Sequence, residues 1–241
     1  MECEMARLCL EYLTFPCFDP EEDLGRQDIL RGHLAFQDYA IAKWFYHVNA
    51  FVKSGPEFLR EAHNKDDHLE ILYKALEDFT GRFDNDDEKW GSTVIEDCKK
   101  SCRAFENLDL HDYLVDITSH IYIHQGKGSD ARHKISVKGL GEALVRNRKL
   151  LEDLPTHLGP DDLDSYCRFH DAQRRFKCDR ITCRFFFEGF KSAKDRDKHV
   201  KFHTRPFHCD VPDCLGAEGF VNQADLDRYV LCQGTNFVIT T

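Results

Sequence analysis

A membrane-spanning run is missing from this 241-residue sequence: its apolar stretches are short and broken by charge, as at 8–15, where Glu11 interrupts. Residues 1–7 hold Glu2 and Glu4 instead of the basic and then apolar start of a secretory signal. A soluble intracellular protein without a membrane partner is therefore expected, with nucleus and cytoplasm both open. No Ser/His/Asp or Cys/His set presents a nucleophile with its base, and the acidic pair Asp161-Asp162 reads as solvated surface, so an enzyme is not expected. A phosphate loop is lacking too. Gly126-Lys127-Gly128-Ser129 and Gly139-x-Gly141 are too short and wrongly flanked to cradle a nucleotide. An excess of positive charge is also absent: 33 Lys/Arg stand against 43 Asp/Glu, a net charge of −10 that argues against nucleic-acid binding by the whole surface.

Cysteine is plentiful. In a chain of this length without a secretory signal, 11 cysteines fit scattered reduced thiols plus a metal site better than a disulfide framework. The metal site has a spacing: Cys178-x4-Cys183-x15-His199-x3-His203 offers two thiolates and two imidazoles for a closed tetrahedral zinc site. His199 and His203 fall one helical turn apart on one face. Phe176 before the first cysteine and Phe190 before the histidines supply the aromatic packing of a small ββα finger. The spacing from Cys183 to His199 is three residues longer than the usual twelve, and the insertion at 184–189 is expected to lengthen the loop before Phe190 without touching the histidine helix.

The first 155 residues read as helices. Apolar residues recur at three and four in Ile41, Trp44, Phe45, Val48, Val52 and in Leu69, Leu72, Leu76, Phe79, Phe83. Three more stripes run through Ile95, Cys98, Cys102, Phe105; through Leu110, Leu114, Ile117, Ile121; and through Val137, Leu140, Leu144, Leu151, Leu154, which ends at Pro155. Expected breakers are Ser54-Gly55-Pro56, Asp84-Asn85-Asp86-Asp87 and Gly126-Lys127-Gly128-Ser129. Leu8-Cys9-Leu10-Glu11-Tyr12-Leu13 is either a short strand or the end of a helix. The expected fold is mainly α: an irregular helical array (1–155), a linker (156–175), a ββα zinc finger (176–204), a degenerate second finger (207–233) and a tail (234–241).

The second repeat keeps Cys209-x4-Cys214 and the frame Phe220-x5-Leu226-x2-Tyr229, but Tyr229 and Gln233 stand where the histidines belong. A phenol titrating near pH ~10 is a poor zinc ligand. Cys209, Cys214 and Cys232 then form at most a weak second site, and a metal-free remnant is the plainer reading. Cys98 and Cys102, on an apolar stripe, are read as core; His120 and His124 as ordinary helix residues; and Cys167-x2-His170 as an auxiliary to Cys209 and Cys214 at most.

Charge is unevenly spread. Residues 1–165 carry 20 Lys/Arg against 33 Asp/Glu (−13), residues 166–208 carry 12 against 5 (+7), and residues 209–241 carry 1 against 5 (−4). The basic island can hold phosphates or dock against the acidic part of its own chain. If the finger reads bases, Ser192, Asp195 and Lys198 are its contact positions. Against that stand Arg196 in place of the usual leucine, the short linker Thr204-Arg205-Pro206, and the small area a single finger buries on DNA, ~600–1,000 Å². Two functions follow: a non-enzymatic interaction or scaffold protein with one structural zinc finger, or a nucleic-acid binder using the basic segment.

Ala-Arg-Leu-Cys-Leu-Glu-Tyr-Leu-Thr-Phe-Pro-Cys-Phe-Asp from Ala6 and Ala-Phe-Gln-Asp-Tyr-Ala-Ile-Ala-Lys-Trp from Ala35 resemble the segment after the NACHT module of large fungal nucleotide-binding, repeat-containing proteins. Some members are also similar in two Phe-x-Cys-x4-Cys fingers joined through Arg-Pro-Phe, here Arg205-Pro206-Phe207, and Glu188-Gly189-Phe190 and Asp225-Leu226-Asp227-Arg228 match as well. The resemblance covers about half the chain and implies a scaffold or sensor arm ending in zinc fingers, with a protein partner. The missing nucleotide module and the lost second histidine pair lead to the expectation that both ends are truncated.

Overall fold

The structure, a computed structural model, describes residues 1–20, 24–61, 63–83, 92–128, 130–209 and 218–236, without the side chains of 92 and 232–236. The acidic turn 84–87, Ser129, Cys214, the side chains of Cys232 and Gln233, and nearly all of the tail 234–241 lie outside the described part. Its helices are α1 (Glu2–Leu13), α2 (Arg26–Leu30), α3 (Gln37–Glu61), α4 (Lys65–Arg82), α5 (Ser92–Ser101), α6 (His111–Gly126), α7 (Lys138–Asp153), α8 (Pro160–Cys167), α9 (Phe185–Glu188), α10 (Ala193–Thr204) and α11 (Gln223–Asn236). The chain is mainly α, and no described helix is long and apolar enough to cross a membrane.

The segment at 8–13 is helical. In α1, Cys3, Ala6, Cys9, Leu10 and Leu13 are buried, a three-and-four spacing that gives one apolar face, and Glu2 and Glu4 in the first turn complement the helix dipole. Small Ala6 and Cys9, both at 0% exposure, let α1 lie close against α3 and α4, its two main neighbours. The five apolar stripes read from the sequence line one continuous core. Cys98 and Cys102 are part of it, and burial pushes the Cys102 thiol up to about 11 and Cys9 to about 12, which keeps them protonated and inert.

Ser54-Gly55-Pro56 does not break the chain. Pro56 lies inside the 25-residue α3. Gly55 explains the tolerance: without a Cβ it relieves part of the clash a proline imposes on its predecessor. It also lets the Phe105 ring sit where a Cβ at 55 would be only 2.5 Å away. Phe51 and Phe105, with ring centroids 4.9 Å apart, hold both sides of that contact.

Residues 156–175, expected as a linker, carry α8, whose Tyr166 is 1% exposed and donates its hydroxyl to Leu151 O at 2.9 Å. The ββα expectation finds no support. Among the described residues no strand forms. The hairpin is reduced to one antiparallel bridge, in which Phe176 N donates to Phe190 O (3.3 Å) and Phe190 N to Phe176 O (2.7 Å). The insertion at 184–189 folds into helical α9 instead of extending the second arm. Phe186 of α9 is fully buried and belongs to the core of the helical body.

Candidate metal centre

Backbone turns bring the two cysteines together. Cys183 N donates to Arg180 O (2.9 Å), Phe186 N to Cys183 O (2.9 Å) and Cys178 N to Phe185 O (3.0 Å), so the knuckle closes on the start of α9. The histidines are set by α10. Ser192 is its N-cap, accepting from Asp195 N at 3.1 Å, and Arg205 ends it in the left-handed region with its N–H on Lys201 O. Gly189, at φ +65°, connects the two halves; a Cβ there would stand 2.0 Å from Arg174 O.

These elements place one ligand atom each from Cys178, Cys183, His199 and His203 within 4.8 Å of one another. Cys183 Sγ lies 3.3 Å from His199 Nε2, and the two Nε2 atoms lie 3.0 Å apart. Tetrahedral coordination at ordinary zinc bond lengths separates two nitrogens by ~3.3 Å and two sulfurs by ~3.8 Å, so the donor set and its size suit a closed metal site. The rings of Phe185 and Phe190 stack at 4.3 Å and flank His199 at 4.8 and 5.0 Å, fixing its orientation. Without metal, burial and the neighbouring Cys183 push the Cys178 thiol up to about 11, and burial holds both imidazoles below their ordinary range. The histidines are thus neutral and ready to coordinate, whereas the thiols must lose protons.

The residues that seat this cluster on the helical body carry no metal-ligand signature. Arg148 of α7 is buried at 7% exposure. Its NH1 donates to Cys178 O (2.7 Å), its NH2 to Phe186 O (3.0 Å) and to Asp38 Oδ1 (2.9 Å), and its guanidinium lies 4.1 Å over the Phe186 ring. Lys177 Nζ takes the other Asp38 oxygen at 2.6 Å. Arg180 pairs with Asp130 (2.7 Å), Arg196 with Glu152 (2.7 Å), and Ile181 N donates to His133 O (3.0 Å). A signal did exist in the sequence: Arg148 stands four after Leu144 and Asp38 three before Ile41, opposite charges set on two apolar stripes. The basic island docks, in part, against its own acidic body.

The other sequence candidates do not gather. Among the described residues no second metal cluster forms. Cys209 is half-buried, while Cys214 and the Cys232 side chain lie outside the description. Tyr229 packs on Phe220 at 5.1 Å. Cys167 is exposed, and His170, held below its usual range by burial, contacts Ile29 O at 3.3 Å. His124 Nε2 is 3.3 Å from Lys134 O. Of the base-reading positions, Ser192 and Asp195 cap α10 and bond to each other at 2.7 Å, and Lys198 is exposed. Comparison of the chain with protein-family models, curated proteins and solved structures gave no match.

Proposed function

We propose that Cys178, Cys183, His199 and His203 bind one structural Zn2+, and that the protein is a non-enzymatic interaction module in which the metal folds residues 176–204 onto the helical body. The convergence of four N/S donor atoms within 4.8 Å carries this reading. Four protein ligands leave no open position for substrate or water, which suits a structural and not a catalytic ion. A sensor or scaffold arm of the kind implied by the post-NACHT resemblance fits the same reading. Elemental analysis of the purified chain should give one zinc, lost in Cys183→Ser; a chain that takes up no zinc would defeat it.

Proton competition adds a second check. Zinc must displace thiol protons, so apparent affinity falls as pH falls, about tenfold per pH unit for each proton released, and more steeply once the imidazoles also protonate in acid. Chelator competition at several pH values measures that slope.

The nucleic-acid reading keeps one observation on its side: Lys194, Lys198 and Lys201 are exposed on α10. Titration of random duplex DNA against salt decides it, because phosphate contacts give a steep salt slope and their absence a flat one.

A further inference from the structure

A cavity of about 220 Å³ opens between α3, α6, the 131–136 segment and the metal knuckle. Trp44 and Phe45 of α3, Ile121 of α6 and Ile181 of the knuckle give it apolar walls. Its charged lining is all of one sign or titratable: Arg132, Lys134 and His124, with no carboxylate among the described lining residues. Lys134 is already paired, its Nζ 2.6 Å from Asp130 Oδ2, a carboxylate it shares with Arg180. Arg132 is different. It is exposed, and its one side-chain hydrogen bond among the described residues runs from Nε to Gly128 O at 3.4 Å, which leaves both terminal nitrogens of the guanidinium available for a planar anion.

We infer that this cavity binds a small carboxylic acid with an apolar body, the carboxylate paired with Arg132 and the body lying against the half-buried Phe45 and Ile181, close to Trp44. The volume falls below the ~300–1,000 Å³ of drug-sized sites, so the ligand is small and its single charge does much of the orienting. A neutral apolar molecule would leave the cationic rim unused, and a cation would face Arg132 directly.

The cavity shares a wall with the metal module. Ile181 and Thr182 lie between the ligands Cys178 and Cys183, and both are tied to His133, through Ile181 N to His133 O at 3.0 Å and through the Thr182 hydroxyl to the His133 ring. The coupling of acid binding to metal, which rests on the zinc reading above, follows from that: a knuckle released from its ion no longer holds the wall in place.

The test uses the full chain carrying Trp90→Phe, which leaves Trp44 as its one tryptophan reporter. Phenylacetate is titrated against Trp44 fluorescence, with phenylacetamide as the uncharged probe. The expected result is a saturable change for the acid, with the amide binding about tenfold more weakly, the usual scale of one charge-assisted contact. Arg132→Gln should erase that preference and leave amide binding unchanged. No saturable change, equal binding of acid and amide, or an Arg132→Gln chain that keeps the preference would each overturn the proposal. The zinc content of each sample is measured in parallel. Acid binding that weakens about fivefold or more on chelation supports the coupling, and acid binding by a chain that never holds zinc supports the cavity while refuting the metal reading. A zinc-loaded chain that ignores the acid overturns the cavity alone.

Discussion

Residues 176–204 and the described residues 207–209 and 218–236 build the same small frame from similar sequence. Each has a Phe–Phe bridge, Phe176 to Phe190 and Phe207 to Phe220. Each has a glycine in the left-handed region just before the second phenylalanine, Gly189 at +65° and Gly219 at +83°, and each caps its helix by a side chain accepting from the third residue on, Ser192 from Asp195 N and Asn222 from Asp225 N. In the first copy His199 stands 5.0 Å from Phe190 at an angle of 40°; in the second Tyr229 stands 5.1 Å from Phe220 at 43°. The ring position survives without the ligand. Local turn and cap chemistry therefore specifies the frame, while among the described residues the ligand cluster and the docking helix α9 are found in the first copy.

The largest expected effect breaks the first copy alone. Cys183→Ser removes one of the four proposed ligands, and a structural zinc of this kind contributes an apparent ~10–16 kcal/mol to folding at neutral pH. Hydrogen exchange should show residues 176–204 losing protection while the amides of 218–231 are unchanged; equal loss in both copies would show that the second depends on the first.

Docking comes next. Phe186→Ala empties a core position that the first copy fills and should cost about 3–5 kcal/mol. Arg148→Met orphans the carbonyls of Cys178 and Phe186 and leaves Asp38 with Lys177 alone, a loss of similar size. Denaturant unfolding measures both, and zinc content should remain at one in each, because neither residue is a ligand.

Smaller effects test the shared frame. Gly189→Ala and Gly219→Ala force a Cβ to within 2.0 Å of Arg174 O and 2.4 Å of Arg205 O, so each should destabilise its own copy by about 1–3 kcal/mol. Exchange rates resolved by segment would separate them. Arg196→Leu restores the residue usual under a finger helix and removes the partly exposed pair with Glu152; its expected effect on stability is within about 1 kcal/mol.

Much of this was legible in the sequence, and the limits have physical causes. Ligand spacing and helical stripes are short-range periodic signals, so the four donors and the helices around Trp44, Leu72, Leu114 and Leu144 could be read directly. Pro56 misled because Gly55 and the Phe105 ring, fifty residues apart, together accommodate it. The insertion at 184–189 looked like loop because its reward, burial of Phe186 in a distant core, is tertiary. Arg148 and Asp38 were visible as charges on apolar stripes, but each makes sense only with the other in place.

Zinc per chain, measured by elemental analysis after equilibration with zinc and removal of free metal, decides whether Cys178, Cys183, His199 and His203 form a zinc site. One zinc is expected in the native chain and none in Cys183→Ser. A native chain without zinc, or a Cys183→Ser chain that still holds it, would show that these four residues do not form a zinc site.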